Sequence, residues 1–176
     1  MEYMKQLNHY EFKKNQKVFK PNIIVILENF EHEENIGSAF RLADAFNIQK
    51  IIIVTSCNLN FKKIEKTARS CVSYIPYEFT PSIDDAINYV KQNDFTPIAI
   101  EICDESISLR QCDFSKFEGV ALIVGNESHG VSQTALDKCY KCVHIDMYGN
   151  NSSMNVSTAL AIALYKCCED YLKSSI

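Results

Sequence analysis

Three polar stretches of the sequence contain side chains that suit a ligand better than a core. They read ENFEHEENIGSAFR (28–41), GNESHG (125–130) and GNNSSMN (149–155), and their candidate side chains are Asn35, Arg41, Glu127, Ser153 and Asn155. An amide both donates and accepts hydrogen bonds, a carboxylate accepts them, and a guanidinium stays protonated and only donates. If the fold brings the three stretches together, they predict a polar binding site.

Each candidate also has an ordinary structural explanation. The alternatives are an N-cap for Ser152, Ser153 or Asn35, a surface turn for Glu127, and an ion pair of Arg41 with Glu34 or Asp44. The histidines have similar explanations, because His129 lies in a polar loop and His144 in an apolar strand. The residue types alone leave both interpretations open.

Apolar runs and amphipathic segments alternate along the chain. They predict strands at 22–28, 50–55, 74–77 (weakly), 97–102, 120–125 and 142–145, and helices at 33–46, 62–69, 81–93 and about 153–172. Continuous apolar strands between helices are typical of a mostly parallel α/β sheet with helices on both faces. Such sheets bind ligands outside the carboxyl ends of their strands. Each polar stretch follows or begins at the end of a predicted strand, so the pattern favours one shared site.

Composition indicates a single domain over residues 1–176, with 1–20 as a short basic extension. The chain is 47% hydrophobic and 23% charged, which is ordinary for a globular protein. We expect a cytoplasmic protein, because the sequence has no signal-peptide pattern and no apolar run long enough for a bilayer. Eight cysteines in such a chain favour buried thiols over disulfides. Cys139 and Cys142 have half of a zinc-site spacing, but nothing completes a ligand set, so no metal is expected.

The charge distribution is uneven. The net charge is −4, yet residues 1–20 hold five lysines against two glutamates, and residues 62–69 hold four basic residues against one glutamate. Two basic segments on an acidic chain are compatible with a phosphate-binding surface or with two solvated faces. The phosphate loops of dinucleotide-binding folds and P-loop enzymes are both missing from the sequence.

Taken in order, the polar stretches resemble the SpoU (TrmH-like) family of the SPOUT RNA 2′-O-methyltransferases. ENFEHEENIGSAFR is similar to that family's E-N-x-x-x-x-x-N-x-G/S-x-x-x-R, and IVGNESHGV is similar to its V-G-x-E-x-x-G. IDMYGNNSSMNVSTALAIAL resembles its I-P-M-x-G-x-x-x-S-L-N-V-S-x-A-x-x-I. The three motifs span residues 28–164, most of the chain.

The resemblance implies a C-terminal trefoil knot, a homodimer and S-adenosyl-L-methionine as cofactor. It implies that backbone groups of the knot loops hold the cofactor, at the positions Glu101, Gly125, Ile145, Met147 and Met154. An apolar stripe on the last helix suggests dimer contacts, with the candidates Val156, Leu160, Leu164 and Tyr171. One position departs from the family pattern, since Asp146 replaces the usual proline and adds a carboxylate near the expected pocket.

The resemblance also implies the catalytic set Asn35, Arg41, Glu127, Ser153 and Asn155. Because a guanidinium has no acceptor, Arg41 suits a substrate phosphate better than a role as base. Asn155 suits a hydroxyl that must be oriented. The sequence thus predicts an S-adenosylmethionine-dependent RNA 2′-O-methyltransferase that acts on tRNA. The alternatives are a catalytically weak RNA-binding or interaction protein with the same fold, and an rRNA 2′-O-methyltransferase.

Overall fold

A computed structural model of the chain describes residues 3–14 and 18–174. Within these residues, seven strands and six helices follow one another, joined in places by short 3-10 turns. The strands are β1 (Ile23–Glu28), β2 (Lys50–Val54), β3 (Tyr77–Thr80), β4 (Thr96–Ile100), β5 (Ile107–Ser108), β6 (Val120–Val124) and β7 (Lys141–His144). The helices are α1 (His9–Lys14), α2 (Glu33–Ala45), α3 (Phe61–Ala68), α4 (Ile83–Gln92), α5 (Gln133–Lys138) and α6 (Val156–Ser174).

The strands form one sheet in the order β3-β2-β1-β6-β4-β7-β5. All of its strand pairs are parallel. The carboxyl ends of the four central strands therefore meet at one edge, as the alternation of apolar runs and helices predicts. The loops that leave β1, β6 and β7 at that edge contain all or part of the three polar stretches, and Glu101 begins the loop that leaves β4.

Helices cover both faces of the sheet. The alternating residues of β1 show this directly, because Ile23, Val25 and Leu27 pack with the buried sides of α2, α3 and α6. Ile24 and Ile26 point the other way and pack with α4 and α5. Such burial on both faces explains why the strands read as continuous apolar runs. The predicted α/β class is confirmed.

Most predicted elements are present, with shifted ends. The weak strand expected at 74–77 is present as β3 but begins three residues later, at Tyr77, because the residues before it form a turn in which Ile75 N donates to Cys71 O. Three short elements, α1, β5 and α5, are absent from the sequence prediction because they are too short to show a periodicity. Lys17 of the basic extension lies outside the described residues.

The apolar stripe predicted as a dimer contact belongs instead to the core. Leu160 and Leu164 are at most 1% exposed and pack against the sheet. Tyr171 is half-buried, and its hydroxyl donates to Phe117 O. The exposed apolar side chains of α6 are Ile162, Tyr165 and Leu172. A helix of period 3.6 hides one stripe in its own domain, and the tertiary packing decides which stripe that is.

The cysteines are all free thiols, and five of the eight are buried. Cys139 donates to Leu136 O and Cys142 to Glu101 O, so each thiol of the C-x-x-C pair has a backbone partner. Burial raises the pKa of the Cys168 thiol to about 11. No helix within 3–14 or 18–174 has the length and hydropathy to cross a membrane.

Candidate functional site

A cavity of about 590 Å³ opens at the carboxyl edge of the sheet. Its wall is built from the start of α2, the ends of β4 and β6, and the segment between β7 and α6. Of the predicted residues, the cavity is lined by Asn35, Glu101, Gly125, Glu127, Ile145, Met147, Ser153, Met154 and Asn155. The fold thus brings together nine of the ten predicted site residues. The missing one is Arg41.

A chain of hydrogen bonds links three distant segments at the cavity. Asn35 Nδ2 donates to Glu127 Oε1 at 2.6 Å, and Asn35 Oδ1 accepts from Asn155 Nδ2 at 3.1 Å. The same Asn35 oxygen also accepts from the Ser157 hydroxyl at 3.2 Å. We call Asn35, Glu127, Asn155 and Ser157 the amide network. It fixes the starts of α2 and α6 relative to the loop after β6.

Asn155 is the N-cap of α6, and not Ser152 or Ser153. Its Oδ1 accepts from the backbone N–H groups of Ser157 and Thr158, at 2.9 and 3.3 Å. The expected N-cap role of Ser152 or Ser153 is therefore wrong, and helix α6 begins three residues later than the predicted 153. An N-cap asparagine satisfies helix N–H groups that have no intrahelical partner. Its Nδ2 is left to reach Asn35.

Asn35 does not cap α2 either, since it is the third residue of that helix. The N-cap position is His32, whose side chain makes no capping hydrogen bond. Glu127 supplies the acceptor instead: its carboxylate accepts from Glu31 N at 2.9 Å and from His32 N at 3.3 Å. A carboxylate at a helix start is stabilised by the free N–H groups and the helix dipole. The surface-turn explanation of Glu127 is therefore wrong.

These contacts also set the ionisation of Glu127. Burial opposes the charged form, but the hydrogen bonds from Asn35 and from the backbone of Glu31 and His32 outweigh it. Together they hold the pKa of the Glu127 carboxyl below its ordinary value of 4.5. Glu127 is therefore an anion at neutral pH. A permanent anion with both oxygens engaged orients its neighbours and is a poor proton acceptor.

Two glycines shape the loop that carries Glu127. Gly130 has φ of +69°, and a Cβ there would lie 2.2 Å from Glu101 Oε2. A Cβ on Gly125 would lie 2.1 Å from the backbone of Gly130. Asn126 closes the loop, because its backbone pairs with Gly130 and its Oδ1 accepts from Ser128 N and His129 N. Only glycine fits such close backbone approaches.

Glu101 supports that same loop with its carboxylate. The two oxygens accept from Ile102 N at 2.8 Å and Val131 N at 2.9 Å. The sequence predicted a backbone role at the cavity for Glu101. The structure adds that its side chain ties the end of β4 to the loop after β6. Glu28, which is 2% exposed, ties the end of β1 to the start of α5. Its carboxylate accepts hydrogen bonds from the backbone N–H and the hydroxyl of Ser132.

Arg41 lies apart from the amide network. It is six residues beyond Asn35 on α2, about 9 Å further along the helix axis. The side chain is exposed, and neither Glu34 nor Asp44 pairs with it. In the part of the chain that the structure describes, Arg41 has no ion pair or side-chain hydrogen bond. The predicted surface ion pair is therefore not formed.

Asp146 does not line this cavity, but it lines a neighbouring cavity of about 570 Å³ that shares Ile145 and Met147 with it. Its carboxylate accepts from the Ser108 hydroxyl at 2.6 Å and from Arg110 Nε at 3.1 Å. The hydrogen bond from Ser108 is the main cause that holds the pKa of Asp146 below its ordinary value, and Arg110 and His144 lower this pKa further. His144 in turn contacts Ser106 Oγ through Nδ1 at 2.9 Å. Asp146 thus anchors the segment after β7 to β5 and the turn that follows it.

Three residues with roles at the site were not predicted. Ser157 belongs to the quoted motif, and its position two residues after Asn155 was the available signal. Asn126 precedes Glu127 in GNESHG, and Glu28 opens the first motif. Ser157 and Glu28 act on partners more than 100 residues away, and Asn126 Nδ2 also donates to Asn29 O, 97 residues away, at 2.7 Å. No local pattern encodes contacts at such separations. Among the described residues, no group of three or more His, Cys, Asp or Glu side chains could hold a metal ion.

Fold and site together define a parallel α/β protein with a small-molecule cavity where polar loops converge at the carboxyl edge. The model of the SpoU rRNA Methylase family matches residues 22–165. That range is most of the chain, so the protein belongs to this family.

Individual relatives agree with the family. The chain is 26% identical over 157 residues to the tRNA (guanosine(18)-2'-O)-methyltransferase of Thermus thermophilus, covering 89% of this chain and 79% of that enzyme. It resembles the crystal structure of the A. aeolicus TrmH/SpoU tRNA modifying enzyme, with a TM-score of 0.77 at 25% identity over 88% of this chain and 77% of the other. The AdoMet complex of AviRb from Streptomyces viridochromogenes shares the fold, with a TM-score of 0.79 at 22% identity over 89% and 63%.

Proposed function

We propose that the protein is an S-adenosylmethionine-dependent RNA 2′-O-methyltransferase. The observation that carries the proposal is the amide network at the cavity, where Asn35, Glu127 and Asn155 from three separate segments meet. Family membership and the Thermus thermophilus relative, which is named as a tRNA 2'-O-methyltransferase, support the same activity.

The cavity fits the proposed cofactor. At about 590 Å³ it lies within the usual range for sites of small organic ligands. Its wall combines apolar side chains, such as Ile100, Ile145 and Met154, with backbone of the glycine-containing loop 125–130. Apolar side chains suit the faces of an adenine ring, and backbone groups suit its edge. Gly125, Ile145, Met147 and Met154 are the proposed cofactor contacts, together with the backbone of Glu101.

When bound, the cofactor supplies a methyl group attached to a positively charged sulfur. Transfer of this methyl group to a ribose 2′-oxygen, with the sulfur as leaving group, would need the hydroxyl to be oriented toward the methyl group and its proton to be released. We propose that Ser153 and Asn155 orient the hydroxyl, since both line the cavity. Asn35 and Glu127 keep Asn155 in place. A hydroxyl that is already oriented lowers the activation barrier of methyl transfer.

Arg41 is proposed to hold a phosphate of the RNA. An exposed guanidinium without an internal partner can bind phosphate through two parallel hydrogen bonds. The proton then leaves to that phosphate or to water, because Arg41 itself has no acceptor. The distance of Arg41 from the cavity favours a contact with RNA over one with the cofactor.

We further propose a homodimer, a C-terminal knot and a preference for tRNA over rRNA. The exposed apolar side chains Ile162, Tyr165 and Leu172 on α6 support a self-association surface. For the knot, the support is the sheet order, in which β7 inserts between β4 and β5 so that the segments after β4 and β7 pass each other. The A. aeolicus and Thermus thermophilus relatives support tRNA.

Two measurements test the proposal. Titration calorimetry with S-adenosylmethionine is expected to show binding, and no heat at millimolar cofactor would reject it. Mapping of 2′-O-methylation across tRNA and rRNA after gene deletion is expected to reveal one missing methyl group in tRNA. If the missing methyl group lies in rRNA instead, the proposed activity stands and the substrate is rRNA rather than tRNA. Cofactor binding without any lost methyl group would favour the RNA-binding alternative.

A further inference from the structure

The cations of this acidic protein fall into two populations. Eight of those described form ion pairs with carboxylates: Lys5, Lys50, Lys63, Arg110, Lys116, Lys138, Lys166 and Lys173. Arg41, Lys62, Lys66 and Arg69 are all exposed, and none of the four has an ion pair or side-chain hydrogen bond among the described residues. We call these four residues the cationic face. The other described cations without an ion pair are Lys13, Lys14, Lys20, Lys91 and Lys141, so four of these nine lie on, or at the end of, the neighbouring helices α2 and α3.

The two helices that carry the cationic face are neighbours, because α3 packs directly against α2. A Cβ on Gly37 of α2 would lie 2.6 Å from Thr67 Cβ and 2.8 Å from Ile64 O of α3. The glycine therefore lets the two helix backbones approach closely. The helices run in the same direction, since Glu33 at the start of α2 contacts Asn60 and Lys63 at the start of α3.

Lys62 and Lys66 lie on one side of α3, because they are four residues apart, and Arg69 is the C-cap residue at the end of the helix. We call these three residues the row; from Lys62 to Arg69 it extends about 10 Å along the chain direction of α3. Glu65, the one carboxylate of this helix, is exposed beside the row. The row starts near the rim of the cavity, because Glu33 holds the first turn of α3 and His32 beside it lines the cavity.

We propose that the cationic face binds the RNA phosphates that flank the methylated nucleotide. The inference rests on the proposed function, because a ribose that enters the cavity brings its neighbouring phosphates to the rim. Lysine and arginine side chains that replace phosphate counterions supply sequence-independent affinity. Lys62, Lys66 and Arg69 guide the strand on one side of the target, and Arg41 holds the phosphate nearest to it.

The test removes charge from the row without disturbing the fold. The double variant Lys62→Gln/Lys66→Gln keeps good helix-forming residues at two exposed positions. The matched control, Lys91→Gln/Lys173→Gln, removes the same charge from exposed positions on α4 and α6. Each protein is titrated with bulk tRNA from a strain that lacks the gene, at several salt concentrations, and methyl transfer to that tRNA is measured.

We expect the α3 variant to bind tRNA roughly tenfold more weakly and to lower the salt slope by about 1.4, or about 0.7 for each lost phosphate contact on a single strand. KM should rise while kcat and cofactor affinity stay within about twofold. The control should match the wild type. Equal losses in both double variants, or no loss in the α3 variant, would overturn the inference.

A second variant covers the end of the row. Arg69 has φ of 49°, and asparagine tolerates this left-handed conformation, so Arg69→Asn removes the charge without adding strain. It should raise KM roughly threefold, and an unchanged KM would count against the inference at this position. Failure of the proposed function looks different, because the wild type would then transfer no methyl group to any RNA.

Discussion

The amide network and Arg41 of the cationic face lie on different sides of α2. The two regions also differ in whether their polar groups have partners within the chain. In the network, Asn35, Glu127 and Asn155 bind one another and the backbone of helix starts. On the cationic face, Arg41 and the row on α3 leave their charges to solvent. The polar groups of the network have partners within the chain, whereas the cations of the cationic face have none among the described residues.

The difference indicates two kinds of binding. A small cofactor needs a frame with fixed geometry, which a saturated hydrogen-bond network provides. A charged polymer needs accessible cations whose flexible side chains follow its backbone. Changes in the network should therefore alter stability and cofactor affinity together. Changes on the cationic face should alter RNA dependence while leaving the folded protein intact.

Arg41→Ala should give the largest effect. It should lower the rate of methyl transfer without weakening cofactor binding. We expect single-turnover methyl transfer to tRNA to fall by roughly two orders of magnitude or more, because a positioned charge that acts in the transition state is lost. Cofactor affinity by calorimetry should hardly change. Arg41→Lys should recover little, since an ammonium lacks the planar two-point contact. Arg110→Ala is the control for loss of an exposed arginine, and near wild-type turnover in Arg41→Ala would refute the assigned role.

Asn35→Ala should disrupt the network. It leaves Glu127 Oε1 without its 2.6 Å donor and Asn155 Nδ2 without its acceptor. We expect a loss of about 2 kcal/mol in the free energy of unfolding by urea, with weaker cofactor binding, because partly buried polar groups lose their partners.

The control for this change is Asn93→Ala, which removes an exposed amide that donates to Tyr89 O at the end of α4. It should cost less than about 0.5 kcal/mol. If the two variants are equally stable and bind the cofactor alike, the network does not form the frame that we describe.

Acid should weaken the network through Glu127. The pKa of this carboxyl is lowered in the folded protein, so its contribution is present above the unfolded value near 4.5 and is lost as the pH falls through the folded pKa. The effect should stay below about 1 kcal/mol, because solvent screens a carboxylate that is only half-buried. Urea unfolding of wild type and Glu127→Gln at pH 6 and below pH 4 measures it. The gap between the two proteins should narrow at the lower pH, and a constant gap would contradict the assignment.

Asp146→Asn should have the smallest effect. The amide oxygen keeps the hydrogen bond from Ser108, and the lost ion pair involves Arg110, whose side chain is 76% exposed. We expect little change in stability and a cofactor affinity within twofold of the wild type. Calorimetry showing a tenfold change in cofactor affinity would mean that Asp146 acts on the cofactor although it is not in the lining of the cavity.

The sequence by itself determined the layers of this fold and the edge at which its site lies. Apolar runs such as 120–125 predict strands buried on both faces, because hydrophobic periodicity is a local property. In a parallel sheet the carboxyl ends of the strands lie along the same edge, so the loops with Glu127 and Asn155 were expected at that edge. The three motifs also contain eight residues that line the cavity, and the ninth, Glu101, follows β4.

Only the tertiary structure decided which partners these residues have. Whether Asn155 or a neighbouring serine caps α6, and whether Asn35 caps α2 or receives a carboxylate, depends on where segments about 100 residues apart meet. Side-chain contacts of this kind follow from the crossing of helices and the register of strands, which no local pattern contains. For the same reason Arg41, six residues from Asn35 in the sequence, lies on another side of α2. The 3.6-residue period turns nearby positions to different faces, and packing against α3 and α6 then decides what each face meets.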